Sequence, residues 1–264
     1  FLPANFSYPL FAALLLVKTM PVLVGAGPQA FRFGAWFCLV AVVAGPALSF
    51  RGNDIRRSAV LASSAASALG LLAVWQPGAA DSALAAVLAA SLGRACLVVS
   101  LFALGTSMRS WDLADLGEAL RRTPLAAYGA GLGALVTSVA LAAVPGAFAG
   151  GSSGSLRSWL FGAGLALLAV SIWRGFAVAA FAPLRRRRAF EPSRVRDVAP
   201  GAGWAAFALG GLGLVGIALA FSTRWLAWLD AAGQNRGVPP SAALWLLVPV
   251  LAGAASIALF ALRG

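Results

Sequence analysis

Long apolar segments alternate with short polar stretches along almost the whole chain. A membrane-spanning helix needs about 20 mostly apolar residues, and eight segments approach or reach that length. The stretches between them hold glycines, prolines and charges that end helices, as in "RGND", "QPGAAD" and "RRTP". The pattern predicts an all-α fold, a polytopic transmembrane helix bundle that forms one membrane domain over residues 1–264. The predicted spans are 7–26, 33–50, 57–75, 82–105, 124–146, 157–182, 202–222 and 241–262.

The composition agrees with a membrane location. Hydrophobic residues make up 61% of the chain and charged residues 11%, whereas soluble domains carry about 25% charged residues. The net charge of +12 would suit nucleic-acid binding, but the positive residues lie in short loops between apolar segments. We therefore expect a multi-pass membrane protein with no nucleic-acid partner.

The arginines are distributed unequally between the two ends of the predicted bundle. Thirteen fall in the loops after the second, fourth and sixth spans or at the C-terminus, and four fall in the opposite loops. Loops rich in lysine and arginine stay on the cytoplasmic side of a membrane. Both termini are therefore expected on that side, or on the matrix side if the membrane is mitochondrial.

Three cations lie inside predicted spans: Lys18, Arg94 and Arg174. A charge at the centre of a bilayer costs at least ~2.5–3.5 kcal/mol, so each of them needs a reason. One interpretation is a packing role, in which the cation pairs with a carbonyl or with a neighbouring subunit's carboxylate. The other is a hydrated proton path, in which a desolvated lysine can release its proton while an arginine only orders water. All three are proton-path candidates.

Acidic partners for these cations are missing from the spans. All eight acidic residues fall in loops or near span ends, so a complete proton relay is not expected within this chain alone. "RSWDLADLGEALRR", residues 109–122, predicts a short amphipathic helix at the membrane interface. "RRRRAFEPSRVRD" predicts an exposed basic loop that contacts lipid headgroups, with a protein partner as the alternative.

Residue types that carry metal or redox chemistry are scarce. The chain has no histidine, and Cys38 and Cys96 lie in apolar runs without metal-ligand spacing. "GAGLGALV", residues 129–136, lies inside a span and indicates close helix packing rather than nucleotide binding. We expect no metal site, no bound cofactor and no catalytic centre in this chain.

Two early segments resemble motifs of one membrane-protein family. "FLPANFSYPLFAALLLVKTMPVLV", which contains Lys18, resembles the lysine-helix region of the antiporter-like membrane-arm subunits of respiratory complex I. "LSFRGNDIRRSAVLASSAAS" resembles the family's loop-plus-helix motif, which Asp54, Arg56 and Arg57 match. The setting of Lys18 is most like NADH dehydrogenase subunit 2, and the Asp-Ile-Arg run also suits a subunit 5 type. A subunit 4 type is the remaining alternative.

Two later segments continue the family order. "LGEALRRTPLAAYGAGLGALVTSVALAAVPGAFAGG" resembles the basic loop and the proline-opened helix, with a helix break at Pro145 and Gly146. "SIWRGFAVAAF" resembles an aromatic-arginine segment, with Arg174 at the arginine. The four segments together span about residues 1–180. Their order and spacing carry the resemblance.

The resemblance implies an antiporter-like fold of inverted five-helix repeats with interrupted helices. It implies a non-redox subunit of the proton-pumping NADH:ubiquinone oxidoreductase, complex I, which contributes to or scaffolds proton translocation coupled to quinone reduction. The implied partners are other complex I membrane-arm subunits and phospholipids. The implied location is an energy-transducing inner membrane, either the mitochondrial inner membrane or a bacterial plasma membrane.

The chain also departs from the family pattern. The serine-rich helix lacks the usual tyrosine, and "AFAGGSSGS" carries no charge after the helix break. The family's preceding helices, with their membrane glutamate, would lie before Phe1, so the resemblance implies a truncated or split subunit with a second chain carrying them. Alternatives are a subunit of a related multi-subunit cation/proton antiporter or membrane-bound hydrogenase, a structural remnant that no longer pumps, and a small-solute permease.

Overall fold

The computed structural model describes residues 15, 28–74, 80–116, 123–143, 156–181 and 200–233. Within these residues the chain is all-helical, with six α-helices and a short 3₁₀ turn at Leu113–Asp115. The α-helices are α1 (Pro28–Ser49), α2 (Ile55–Val74), α3 (Ala80–Met108), α4 (Pro124–Ala143), α5 (Leu156–Phe181) and α6 (Pro200–Gly233).

The helices confirm the all-α prediction and coincide with six of the eight predicted segments. α6 runs to Gly233 and so extends beyond the predicted end at residue 222. The predicted segments 7–26, apart from Leu15, and 241–262 lie outside the described residues. The number of spans therefore stays a prediction.

Two of the described helices are long and apolar enough to cross a membrane, judged by length and composition. They are Val87–Met108 within α3 and Gly201–Ala218 within α6. Shorter apolar stretches occur at Phe33–Ser49, Pro124–Ala140 and Gly162–Arg174. The first of the long helices is mostly covered by its neighbours, and the second is mostly exposed.

α3 forms the centre of the helix packing, and it lies against both α4 and α6. Glycine permits this close approach. A Cβ at Gly93 would lie 2.7 Å from both the backbone nitrogen and the Oγ1 of Thr137 on α4. A Cβ at Gly133 would meet the backbone of Leu97 on α3. The backbones of α3 and α4 are thus nearly in contact, as small residues allow between apolar helices.

Large apolar side chains cover the outer faces of α1 and α6. Phe33 and Phe37 on α1 are 76% and 70% exposed, and Trp204 on α6 is 69% exposed. Val40 on α1 and Leu212 on α6 extend these faces along their helices. Monomeric soluble proteins rarely expose contiguous apolar patches of this kind.

One end of the bundle is closed by two loops that pair through their backbones. The Ile55 amide donates to the Trp111 carbonyl at 3.0 Å, and the Leu113 amide donates to the Asn53 carbonyl at 2.8 Å. Asp54 and Asp112 form an isolated antiparallel bridge between these contacts. The ends of α1 and α3 and the start of α2 therefore meet at the same end of the bundle.

The prediction of an amphipathic helix over residues 109–122 is wrong for its described part, residues 109–116. Arg109 has a positive φ of 52°, which ends α3, and only Leu113–Asp115 form a 3₁₀ turn. The Ser110 hydroxyl accepts a hydrogen bond from the Asp112 amide and donates one to the Asp115 carboxylate. These bonds, with the backbone pairing to the neighbouring loop, use the groups that a continuous α-helix would need. Residues 117–122 lie outside the described residues.

Candidate functional site

Arg94 is enclosed between α2 and α3, and its side chain is held by neutral oxygens. Its exposed fraction is 2%. The Nε donates to the Ala90 carbonyl at 3.2 Å, one turn back on the same helix. One terminal nitrogen donates to the Ser63 carbonyl at 2.8 Å and to the Ser67 Oγ at 2.9 Å. The other donates to the Ser91 Oγ at 2.9 Å. We call these five residues the Arg94 pocket.

Helical spacing explains how the Arg94 pocket forms. Ser63 and Ser67 are four residues apart on α2, so they lie one above the other on a single face. Ser91 and Arg94 are three residues apart on α3, which again places them on one face. The Ser67 hydroxyl donates its own proton to the Ser63 carbonyl at 2.8 Å. Its lone pairs therefore remain available to the guanidinium.

The pocket surrounds a positive charge with neutral acceptors alone. A guanidinium stays charged in proteins and carries five N–H groups, of which the four contacts use four. Within the described part of the chain, no carboxylate forms an ion pair with Arg94. Enclosing a charge without an opposite charge is costly, so the hydrogen bonds only partly offset the loss of water.

A second polar cluster lies where the loops meet. Arg56 and Asp54 form a two-point ion pair, with N–O distances of 2.9 Å and 3.2 Å, and the Arg56 amide also donates to the Asp54 carboxylate at 2.8 Å. The hydrogen bonds from the Arg56 side chain hold the pKa of the Asp54 carboxyl below its ordinary value. The Arg56 guanidinium lies 5.1 Å from the centre of the Trp111 ring. We call these three residues, with the Asn53 carbonyl, the loop cluster.

Trp111 connects the loop cluster to the bundle. Its ring packs at 5.0 Å from that of Phe102 on α3. A Cβ at Gly105 would lie 2.5 Å from the same ring, so the missing side chain leaves the space that the indole occupies. Trp111 thus holds the loop after α3 against that helix, and its ring also contacts the Arg56 guanidinium.

Arg174 of α5 reaches this same end of the bundle. It donates to the Phe50 carbonyl and to the Asn53 side-chain oxygen, both at 3.4 Å, and its guanidinium lies 5.5 Å from the Phe50 ring centre. One turn earlier, the hydroxyls of Ser171 and Ser49 are 2.6 Å apart. Counting residues along the chain places Arg174 deep in a span, whereas the structure places its guanidinium beside a polar loop.

The predicted site residues therefore fall into two groups and do not form one site. Gly105 on α3 contacts Trp111 of the loop cluster. Arg94 lies eleven residues earlier on the same helix, which is about 16 Å at ~1.5 Å per residue. Asp54, Arg56 and Arg174 share the loop end, and Arg57 is exposed there. Lys18, Pro145 and Gly146 lie outside the described residues.

Sequence reasoning missed several partners at both sites. The sequence shows that this helix is serine-rich, but it does not show which of its groups contact Arg94. Ser91, three residues before Arg94, is the one acceptor that the helical spacing indicates. The Ser63 acceptor is a backbone carbonyl, which no side-chain pattern reveals. Trp111 is expected only on the apolar side of an amphipathic helix, and Phe50 and Asn53 are not predicted as partners. Their roles depend on contacts between loops far apart in sequence.

Comparison with known proteins adds no relative to this picture. No protein-family model matches the chain, and no curated protein matches it at a significant level.

Proposed function

We propose that this chain is a multi-span integral membrane protein. The support is the pair of long apolar helices, together with the exposed aromatic and aliphatic faces of α1 and α6. Contact between such faces and water is unfavourable in free energy, whereas contact with the hydrocarbon of a bilayer is not. The eight predicted spans and the placement of the arginine-rich loops on the cytoplasmic or matrix side belong to this proposal.

Within the membrane, we infer that the chain is an antiporter-like membrane-arm subunit of a proton-pumping NADH:ubiquinone oxidoreductase. Its fold would be the inverted five-helix repeat with interrupted helices. The observation that carries the inference is the Arg94 pocket, a permanent positive charge among hydroxyls and carbonyls at the interface of two apolar helices. The resemblance of four ordered segments to that family supports it from the sequence side.

The chemistry available to the Arg94 pocket is electrostatic. An arginine holds its proton, so Arg94 does not pass protons on. It supplies a fixed positive field, and its remaining N–H group and the serine hydroxyls can orient water. A lysine can release its proton when desolvated, so Lys18 is the candidate relay in this scheme, and Arg94 would tune the field along the path. Phospholipids and other membrane-arm subunits would be the partners.

A second candidate function is a scaffold that no longer moves protons. The neutral partners of Arg94 favour it, because all of the contacts that the pocket provides are compatible with packing alone. On this alternative the guanidinium joins α2 to α3, and the loop cluster docks neighbouring subunits.

The proposed assembly is tested by extraction of native membranes in mild detergent, a blue-native gel, and mass spectrometry of what migrates with the chain. Co-migration with flavin and iron–sulfur subunits that oxidise NADH supports the complex I proposal. Migration alone, or only with subunits of a cation/proton antiporter or a membrane-bound hydrogenase, contradicts it. The pumping and scaffold candidates are separated by proton uptake after reconstitution of the assembled complex.

A further inference from the structure

Three arginines at the loop end of the bundle point outward without a partner. Arg51, Arg57 and Arg109 are exposed, and none of their side chains forms a hydrogen bond or an ion pair within the part of the chain that the structure describes. The Arg57 side chain passes beside Gly52, whose Cβ position would lie 3.8 Å from the Arg57 Cδ, so Arg51 and Arg57 flank the same turn. Arg109 ends α3 two residues before Trp111, which pairs with that loop.

The position of Arg57 is unfavourable for the helix that carries it. It lies in the first turn of α2, which begins at Ile55 and has no acidic residue in that turn. The N-terminal end of a helix is the positive end of its dipole and favours acids over bases. Asp54, just before the helix, accepts the Arg56 amide, but its ion pair is with the Arg56 side chain, and the Arg57 side chain stays exposed. An external anion would offset this repulsion.

The surroundings of these arginines indicate which anion fits. Leu48, one turn before Arg51, is 41% exposed, and Val60, one turn after Arg57, is 42% exposed. On each of these two helices, an exposed apolar side chain therefore lies one turn from an exposed arginine at the helix end. A phospholipid has the same arrangement, with an anionic phosphate above hydrocarbon chains, and an arginine fork matches the phosphate oxygens.

We propose that Arg51, Arg57 and Arg109 bind the phosphate of an anionic phospholipid from the adjacent leaflet. The proposal rests on the membrane location proposed above. The lipid chains lie along Leu48 and Val60, and the headgroup lies beside the turn at Gly52. The Asp54–Arg56 pair and Trp111 hold that turn in place and so position the arginines.

The test uses the purified full-length chain in mild detergent. Thermal unfolding is followed with a thiol-reactive dye, because Cys38 and Cys96 are both buried and become accessible on unfolding. The additives are phosphatidylglycerol, phosphatidylcholine and inorganic phosphate. The variants are Arg51→Gln, Arg57→Gln, Arg109→Gln and their triple combination. The matched control is Arg32→Gln, which removes one charge near the start of α1, at the opposite end of that helix.

Phosphatidylglycerol should raise the melting temperature of the natural chain, while phosphatidylcholine and inorganic phosphate should not. Each single Gln variant should need about fivefold more phosphatidylglycerol for the same stabilisation, and the triple variant should lose the effect. Arg32→Gln should respond like the natural chain. Equal responses to the two lipids, or an unchanged response in the triple variant, overturn the headgroup site. Stabilisation by inorganic phosphate alone assigns the arginines to a soluble anion and also overturns it.

Two checks separate this proposal from the ones on which it rests. Each variant is compared with the natural chain by circular dichroism, and if the triple variant is not helical the single variants decide. Carbonate extraction of native membranes tests the location. Release of the chain into the carbonate supernatant contradicts the membrane proposal and this one with it. Retention in the membrane without a lipid preference contradicts the headgroup site alone.

Discussion

The guanidinium of Arg94 donates a hydrogen bond to the backbone carbonyl of Ser63, 2.8 Å away across the interface of α2 and α3. That carbonyl already accepts a bond from the Ser67 hydroxyl, so one oxygen receives two donors. The contact joins residues 31 positions apart in the chain. It gives the α2–α3 interface a polar centre and a charge that the described residues do not neutralise.

Replacement of Arg94 by methionine should separate its energetic role from its functional one. Arg94→Met removes the charge and roughly keeps the side-chain length. The Ser67 hydroxyl keeps its bond to the Ser63 carbonyl, and the Ser91 hydroxyl can turn to a carbonyl of its own helix. Replacing a buried ion pair by apolar residues of similar volume is often neutral or stabilising by ~1–4 kcal/mol, and a buried charge without a counter-charge is costlier still. We expect no loss of thermal stability in detergent but reduced proton uptake by the reconstituted complex. Arg94→Lys is the control that keeps the charge. A destabilisation above ~3 kcal/mol in Arg94→Met, with normal proton uptake, would favour the scaffold function.

A second prediction concerns the candidate relay residue. Lys18→Met should leave assembly of the complex intact and reduce proton pumping, because methionine fills a similar volume but carries no proton. The measurement is the ratio of protons translocated to NADH oxidised in reconstituted vesicles, with assembly checked on a blue-native gel. Normal pumping in an assembled Lys18→Met complex would make Lys18 a structural cation.

Local pattern was enough to predict the helices, because apolar length and nearby breakers are properties of a short stretch. α2 was expected at 57–75 and begins at Ile55, since "RGND" ends one helix and Asp54 accepts the first-turn amide of the next. The segment after α3 shows the opposite case. Its mixed charges suggested an amphipathic helix, but the Trp111 carbonyl is taken by the distant Ile55 amide.

The candidate sites depended even more on contacts that no local pattern encodes. Arg94 was singled out as a buried cation, yet its acceptors come from a helix whose orientation about its axis the sequence leaves open. Counting residues along the chain predicts that Arg174 lies deep in a span. Its guanidinium instead contacts Phe50 and Asn53 of the loop before α2, a pairing over more than 120 positions.

The close approach of α3 and α4 predicts unequal effects of adding one methyl group. Gly93→Ala would bring a Cβ within 2.7 Å of the Thr137 backbone, which cannot move without shifting α4. We expect a loss of ~1–3 kcal/mol in unfolding free energy. Gly211→Ala is the matched control in α6, where nothing lies within 4 Å, and it should be neutral or stabilising by ~0.5–1 kcal/mol. Equal melting temperatures for the two variants would show that the helices do not meet at Gly93.

Acidification should weaken the loop cluster through Asp54. The pKa of Asp54 is lower in the folded chain than in the unfolded one, because Arg56 donates hydrogen bonds to the carboxylate. Stability from this pair is therefore complete above the unfolded pKa of ~3.9 and is lost as the pH falls through the folded value. Both side chains are open to solvent, which screens the pair, so the contribution is small. The measurement is the melting temperature from pH 6 to pH 2 for the natural chain and for Asp54→Asn. The difference between them should shrink below pH 4, and a difference that stays constant would show that the ion pair does not stabilise the fold.

The hydroxyl pair of Ser49 and Ser171 should contribute measurably to the attachment of α5 to α1. The Ser49 hydroxyl donates to the Pro46 carbonyl at 2.6 Å, so the Ser171 hydroxyl is the donor in the 2.6 Å contact between them. Ser171→Ala removes that donor and leaves the bond of Ser49 to Pro46 intact, with an expected loss of ~0.5–1.5 kcal/mol. Ser64→Ala is the control, because the exposed Ser64 hydroxyl bonds only to the Leu61 carbonyl of its own helix and should change stability little. Thermal unfolding in detergent measures the stability of both variants.

Because the serine pair lies one turn from Arg174, Ser171→Ala should also increase proteolysis of the loop at residues 50–54. Unchanged proteolysis together with unchanged stability would mean that α5 is held to α1 by apolar packing alone.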